Sequence, residues 1–273
     1  MNVPNFSSIE EINSAYRDIW KKCRTNSLPI EIRKYFDRWP IQYDTSIKPK
    51  KLLFVGLNPS YNNKANPLEL SDNSLLDKEN EIRKTIEYER AAQRGEKNEK
   101  RYSYYSLFPK ICDTLELDKE DWNHVDLFPF RKSNQNELIS DLELDKNVLE
   151  VTSENTKKDL IKDCINIFLG FVEYLEPEVI VVVNGFISRK IMENDGSYYI
   201  SDYKSSIKVA PTENRYFGLY LSKNSNESHR ILKIRNEFPL LLSSMLTGQR
   251  ALDLSSRERL IWHIGQILVS QHE

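Results

Sequence analysis

Apolar positions along the chain fall into two patterns, helical spacing and short continuous runs. Over residues 7–25, Ile9, Ile12, Tyr16, Ile19, Trp20 and Cys23 recur three or four residues apart, which predicts an amphipathic helix. Ser7 or Ser8 suits its cap, and Glu10 and Glu11 suit its first turn. A second, short helix is predicted from Glu31 to Trp39, stopped by Pro40. Leu52 to Val55 is different: it is apolar without interruption and has the length of a strand buried on both faces, as in a parallel sheet. Gly56 and then Asn58-Pro59-Ser60 follow at once.

Tyr61 to Ser74 is rich in Asn, Asp and Pro and reads as loop. Residues 75–98 read as a charged helix. The segment from Arg90 to Arg101 supplies five basic residues, and Tyr102 to Phe108 follows with four aromatics. Basic residues beside exposed aromatics can hold phosphates and stack bases. The other reading is a solvated helix face followed by core aromatics, and the interrupting glutamates favour it. A helix is predicted over 104–116 through Leu107, Ile111 and Leu115. Val125 to Phe128 reads as a second buried strand ended by Pro129, and Arg131 and Lys132 open a polar loop through Asn136. Asp126 within that strand and His124 beside it read as structural polar residues.

Thr156 to Leu175 is a helix with Ile161, Cys164, Ile165, Phe168, Phe171, Val172 and Leu175 on its apolar face. Glu176-Pro177-Glu178 breaks it. Val179 to Val183 is a third buried strand, rich in β-branched residues. Asn184-Gly185 then turns into a helix to about Met192. Helix, strand, turn and helix in this order imply a crossover unit and a parallel sheet. Ser201 to Pro211 is polar, with a weak strand at Ile207 to Ala210. Tyr216 to Leu221 reads as a fourth core strand, Ser222 to Arg230 as a polar loop, and Ser256 to His272 as the last helix. The fold class expected is α/β, organised as one domain with an N-terminal helical extension over about residues 1–45.

Composition narrows the function classes. The chain has 273 residues, 39% hydrophobic and 29% charged, with a formal net charge of -2. No global field draws it to nucleic acid, so DNA binding would need a local basic face. Cys23, Cys112 and Cys164 have neither metal-ligand nor CxxC spacing. Their odd number argues against a disulfide framework, and a reduced cytoplasm fits best. No apolar run reaches the roughly 18 residues that span a bilayer, and Met1 to Glu10 has no signal-peptide core. No metal or cofactor is indicated, and no strand end carries a dinucleotide fingerprint or P-loop.

The loop after Leu52–Val55 is the strongest candidate for chemistry. Glycine lets the backbone turn and a ligand approach, proline stiffens the turn, and ligands of open α/β sheets bind beyond the carboxyl ends of the strands. A strand with a tight turn and no chemistry would look the same. Gly56-Leu57-Asn58-Pro59-Ser60 after a hydrophobic strand resembles the first motif of the uracil-DNA glycosylase superfamily, most closely the mismatch-specific branch with its Gly-hydrophobic-Asn-Pro motif. Val125 to Lys132 resembles that family's second strand, and Thr156 to Gly185 its third segment. The likeness covers roughly residues 45–272. It implies a three-layer α/β/α sandwich with a short, mainly parallel four-stranded sheet. One departure stands out. The family's His-Pro-Ser motif after the last core strand is missing, and no His-Pro pair occurs anywhere. Ser222 stands near the expected place and His229 lies downstream in the same loop.

The resemblance implies a monofunctional glycosylase that flips a damaged or mismatched base out of DNA and hydrolyses its bond to the sugar. Asn58 would then position the attacking water. An amide is no strong base, so it would orient rather than activate, while donors stabilise the departing base. His229 is the candidate donor. Gly56, Leu57, Pro59, Ser60, Asn184 and Ser222 would line the site. Tyr61 is the first candidate to stack on the base and Phe128 the second, with core packing as the other role for each. Arg131, Lys132, Lys223 and Arg230 are expected as a basic rim on DNA. The rival is a module on the same fold that binds a nucleotide or nucleic acid without cleaving it. Neither reading involves a membrane.

Overall fold

The computed structural model describes residues 3–25, 28–38, 40–59, 79–95, 103–144, 155–193, 200–202, 219–220, 230–247 and 251–271. The helices are α1 (Ile9–Thr25), α2 (Ile30–Phe36), α3 (Glu79–Arg94), α4 (Phe108–Thr114), α5 (Gln135–Asp141), α6 (Asn155–Leu175), α7 (Gly185–Glu193) and α8 (Leu254–Ser270). The strands are β1 (Leu52–Gly56), β2 (Trp122–Asp126), β3 (Val179–Val183), β4 (Ile200–Asp202), β5 (Leu219–Tyr220), β6 (Arg230–Lys233) and β7 (Glu237–Ser243). The chain is α/β. None of the described helices is long and apolar enough to cross a membrane.

The strands form one sheet in the order β2-β1-β3-β7-β6-β4, with β5 also pairing β7. Leu52–Val55 pairs in parallel with Val179–Val182, as the two uninterrupted apolar runs require. Two expectations are corrected. Among the described residues the sheet has seven strands rather than four. The fourth parallel position belongs to β7, whose Leu240–Ser243 pairs with Ile180–Val183. Of the segment 216–221 expected there, the described residues Leu219 and Tyr220 run antiparallel to β7. Pro239 disguises β7 as a non-strand, because proline cannot donate to a central ladder. It is tolerated since pairing with β3 begins one residue later, at Leu240, and Pro239 faces only Ile231 of β6. The weak strand expected at 207–210 lies outside the described residues.

The chain divides into two compact units, each gathered from several stretches. The second unit comprises residues 49–56, 102–125 and 175–273 and holds the sheet apart from Asp126, together with α4, α7 and α8. One set of alternate strand residues, Leu52, Phe54, Val179, Val181, Val183 and Leu241, packs with Phe108 and Ile111 of α4 and with Leu260, Ile264 and Ile267 of α8. The opposite set, Leu53, Val55, Ile180, Val182, Leu240 and Leu242, is buried as well. Tyr104 and Tyr105 join Phe108, Trp122 and His124 in an aromatic cluster with ring separations of 4.9 to 6.3 Å. Tyr104 and Tyr105 are half-buried and pack against the core, the role that the glutamate-interrupted pattern before them favoured.

His124 is buried in this cluster, with its Nε2 3.2 Å from the Tyr104 hydroxyl. Burial pushes its pKa down to about 3. The unfolded chain takes up a proton near pH 6.5, so between those values it binds more protons than the folded protein. The stability His124 contributes is therefore full above pH 6.5 and is lost as the pH falls toward 3, with a slope of up to about 1.4 kcal/mol per pH unit. Urea unfolding from pH 7 to 4 should show that slope, and His124→Phe should flatten it.

The first unit comprises residues 1–48, 57–101 and 126–174 and holds α1, α2, α3, α5 and all of α6 but its last residue. Ser8 caps α1 by accepting from the Glu11 N–H, and the Glu11 carboxylate accepts from the N–H and hydroxyl of Ser7. Asn13 fastens α1 to the backbone of Tyr43 by two hydrogen bonds of 2.7 and 2.8 Å. The N-terminal strand of chain lies across α6 at Gly170. A Cβ there would come within 2.7 Å of the Pro4 carbonyl and 2.8 Å of the Phe6 ring. Gly170→Ala should therefore lower stability by about 1–3 kcal/mol, although alanine favours a helix by about 1 kcal/mol. Urea titration measures the sign directly.

Candidate functional site

In the first unit, the loop leaving β1 lies beside the chain leaving β2. The Phe128 N–H donates to the Leu57 carbonyl at 2.9 Å, and the Lys132 N–H donates to the Pro59 carbonyl at 3.0 Å. These bonds bracket Asn58, which is 7% exposed. Its side-chain Nδ2 donates to three main-chain carbonyls: Pro59 at 3.0 Å, Phe130 at 3.1 Å and Lys132 at 2.7 Å. Three carbonyl oxygens around one atom settle which end of the amide is nitrogen, since an oxygen there would face only repulsion. The Asn58 Oδ1 is buried and accepts no hydrogen bond among the described residues. An unsatisfied buried acceptor costs about 1–3 kcal/mol. The amide is thus held by its nitrogen and presents its oxygen.

The same geometry revises the expected basic rim. Arg131 is 2% exposed and stands in the interior, so it is no rim residue. Its polar sequence surroundings suggested exposure, but the loop folds inward at Phe128 and Phe130, both fully buried. The Lys132 ammonium pairs with Glu137 and lies 5.9 Å from the centre of the Tyr35 ring. That hydrogen bond from Lys132, with another from Asn134, holds the Glu137 carboxyl below its ordinary range. Phe128 is a core residue, which excludes it as a stacking platform: its ring lies 6.4 Å from that of Phe130. Arg90 of the charged helix pairs with Asp44 at 3.0 Å.

In the second unit, Gly56 and Asn184 leave neighbouring strands just beyond the paired residues Val55 and Val182. The strand order reverses between β1 and β3, the place where open α/β sheets bind ligands. Asn184 Oδ1 is already committed. It accepts from the N–H groups of Phe186 at 3.0 Å and Ile187 at 3.2 Å and so caps α7. This is the turn-and-cap role of an Asn-Gly pair. Ser188 of α7 donates to the Ser243 carbonyl at 2.7 Å, fixing that helix to β7. Arg230 begins β6. Ser60, Tyr61, Ser222, Lys223 and His229 lie outside the described residues.

Sequence reasoning missed Trp20, Arg38 and Phe130. The Phe130 ring is enclosed by Trp20 at 5.4 Å, Tyr35 at 5.8 Å and Phe36 at 5.7 Å. The alternation of Phe128 and Phe130 around Pro129 was the available signal. No protein-family model matches the chain, and no curated protein matches it.

Proposed function

We propose that this chain is a uracil-DNA glycosylase-like protein that flips a damaged or mismatched base from DNA and removes it by hydrolysis. The observation that carries the reading is the Asn58 amide, pinned through Nδ2 with its buried Oδ1 left as an acceptor. A carbonyl oxygen fixed in that way can accept a hydrogen bond from one water and so set the direction of that water's lone pairs. That is the task the Gly-Leu-Asn-Pro motif implies for this residue, and orientation is worth several powers of ten in rate when the geometry is right. The family's three-layer sandwich is part of the reading. It is supported by a sheet with both sets of alternate side chains buried, which needs cover on each face. With Arg131 internal, the phosphate contacts of this reading fall to Lys132, Lys223 and Arg230.

The test is a panel of duplex and single-stranded oligonucleotides carrying uracil, hypoxanthine or a mismatch, assayed for alkali-labile sites. Base release from at least one substrate is expected. Salt-dependent DNA binding with no release from any substrate would replace the enzyme with the binding module, and absence of both would end the nucleic-acid reading.

A further inference from the structure

We propose that Arg38 is a positioning residue for Asn58, acting through the loop 128–132, and that α1 and α2 form the brace from which it acts. The sequence gives these N-terminal helices no chemistry, yet a continuous set of contacts within the first unit leads from them to the amide. The Arg38 guanidinium donates to the Arg131 carbonyl at 2.9 Å. Arg131 lies between the two loop residues, Phe130 and Lys132, whose carbonyls receive the Asn58 Nδ2. Arg38 is itself tethered, because its own carbonyl accepts from the Trp20 indole N–H at 2.7 Å. The Trp20 ring in turn stacks on Phe130, with 28° between the planes. Both ends of the brace therefore converge on the same three loop residues.

The geometry explains why a brace is needed. Amide nitrogen carries two protons, and here three carbonyls share them. Small rotations of the loop would trade one carbonyl for another and swing Oδ1 with them. Carbonyls of an irregular loop have no ladder to hold them, so their direction must come from side-chain contacts. A charged donor on the Arg131 carbonyl fixes the Arg131–Lys132 peptide plane, which joins the two peptides whose carbonyls receive Asn58 Nδ2, more firmly than a neutral one would. Arg38 acts on the amide through the Arg131–Lys132 peptide plane, which makes it a positioning residue.

The catalytic half of this inference rests on the glycosylase reading; the geometric half does not, and the experiment separates them. Arg38→Ala, Arg38→Lys and Arg17→Ala are compared with wild type. Arg17 is the control, because it loses a similar bond, to Gln42 at 2.8 Å, without touching the 128–132 loop. The first readout is the Asn58 side-chain amide in a ¹⁵N-labelled protein. Arg38→Ala should move its resonances and speed its proton exchange by about tenfold or more, well below the melting temperature. Arg38→Lys should recover part of the shift by returning one donor, and Arg17→Ala should leave the amide unchanged. The second readout is single-turnover base release, where Arg38→Ala should lower the rate about tenfold with little change in KM. An unchanged Asn58 amide in Arg38→Ala overturns the brace, as does an equal disturbance in Arg17→Ala. A wild type that releases no base ends the glycosylase reading while the amide readout still decides on the brace.

Discussion

Asn58→Ala should lower base release on the order of 100-fold or more, the usual cost of deleting one positioning or charge-stabilising contact, with DNA affinity nearly unchanged. The asymmetry follows from where the side chain points. Its nitrogen bonds only main-chain carbonyls and no charged side chain, and its other polar atom is a buried acceptor. Alanine also strips the donor from three carbonyls, so some stability will go with it, about 1–3 kcal/mol, and rates must be measured well below the unfolding transition. Asn58→Asp separates the two roles of the amide. A carboxylate keeps an acceptor where Oδ1 stands but places its second oxygen against the carbonyls of Pro59, Phe130 and Lys132, which repel it. Relative to wild type, that variant should lose more stability at neutral pH than at pH 4, where protonation returns a donor to the clamp. Equal single-turnover rates for wild type and Asn58→Ala on a cleaved substrate would remove Asn58 from the chemistry and leave it a loop clamp.

The two central strands were legible in the sequence because burial on both faces of a parallel sheet demands uninterrupted apolar runs, and Leu52–Val55 and Val179–Val183 are such runs. The helix α6 was legible for the complementary reason, a sustained apolar face ended by Pro177. The strand β7 was not, because Pro239 breaks the local pattern while the register of pairing makes it harmless. The helix α5 was missed too: it is only seven residues long, and its signal is the Asn134 cap inside a polar stretch. At the site, Gly56-Leu57-Asn58-Pro59 advertises a tight turn with an amide in it. Two of the three partners of that amide are main-chain carbonyls more than seventy residues away, and any residue type supplies a carbonyl. Arg131 is a similar case. Its sequence neighbours are polar, and only the inward path of the loop decides that its charge is internal.

That inward path depends on Phe130, and its removal should have the largest effect on stability. Phe130 is 0% exposed and meets Trp20, Tyr35, Phe36 and Phe128 within 6.4 Å. Truncating a buried phenylalanine loses its transfer free energy and leaves a cavity, together about 3–5 kcal/mol. The higher end is expected here. Three of the four neighbouring rings are on α1 and α2, whose backbones are held by the bond of Trp20 to the Arg38 carbonyl and by that of Arg24 to the Phe36 carbonyl at 2.8 Å. Walls fixed in this way cannot close over the void. Against a total of about 5–15 kcal/mol for a folded domain, the loss would be visible as a large fall in the urea midpoint. Phe130→Leu, which keeps most of the volume, should cost about 1–2 kcal/mol. The Phe130 carbonyl is one of the three that hold Asn58, so Phe130→Leu should also disturb the Asn58 side-chain amide while the protein remains folded. A loss below about 1 kcal/mol for Phe130→Ala would mean that the rings around it repack freely, and a loop so easily rearranged could not hold the amide in one direction.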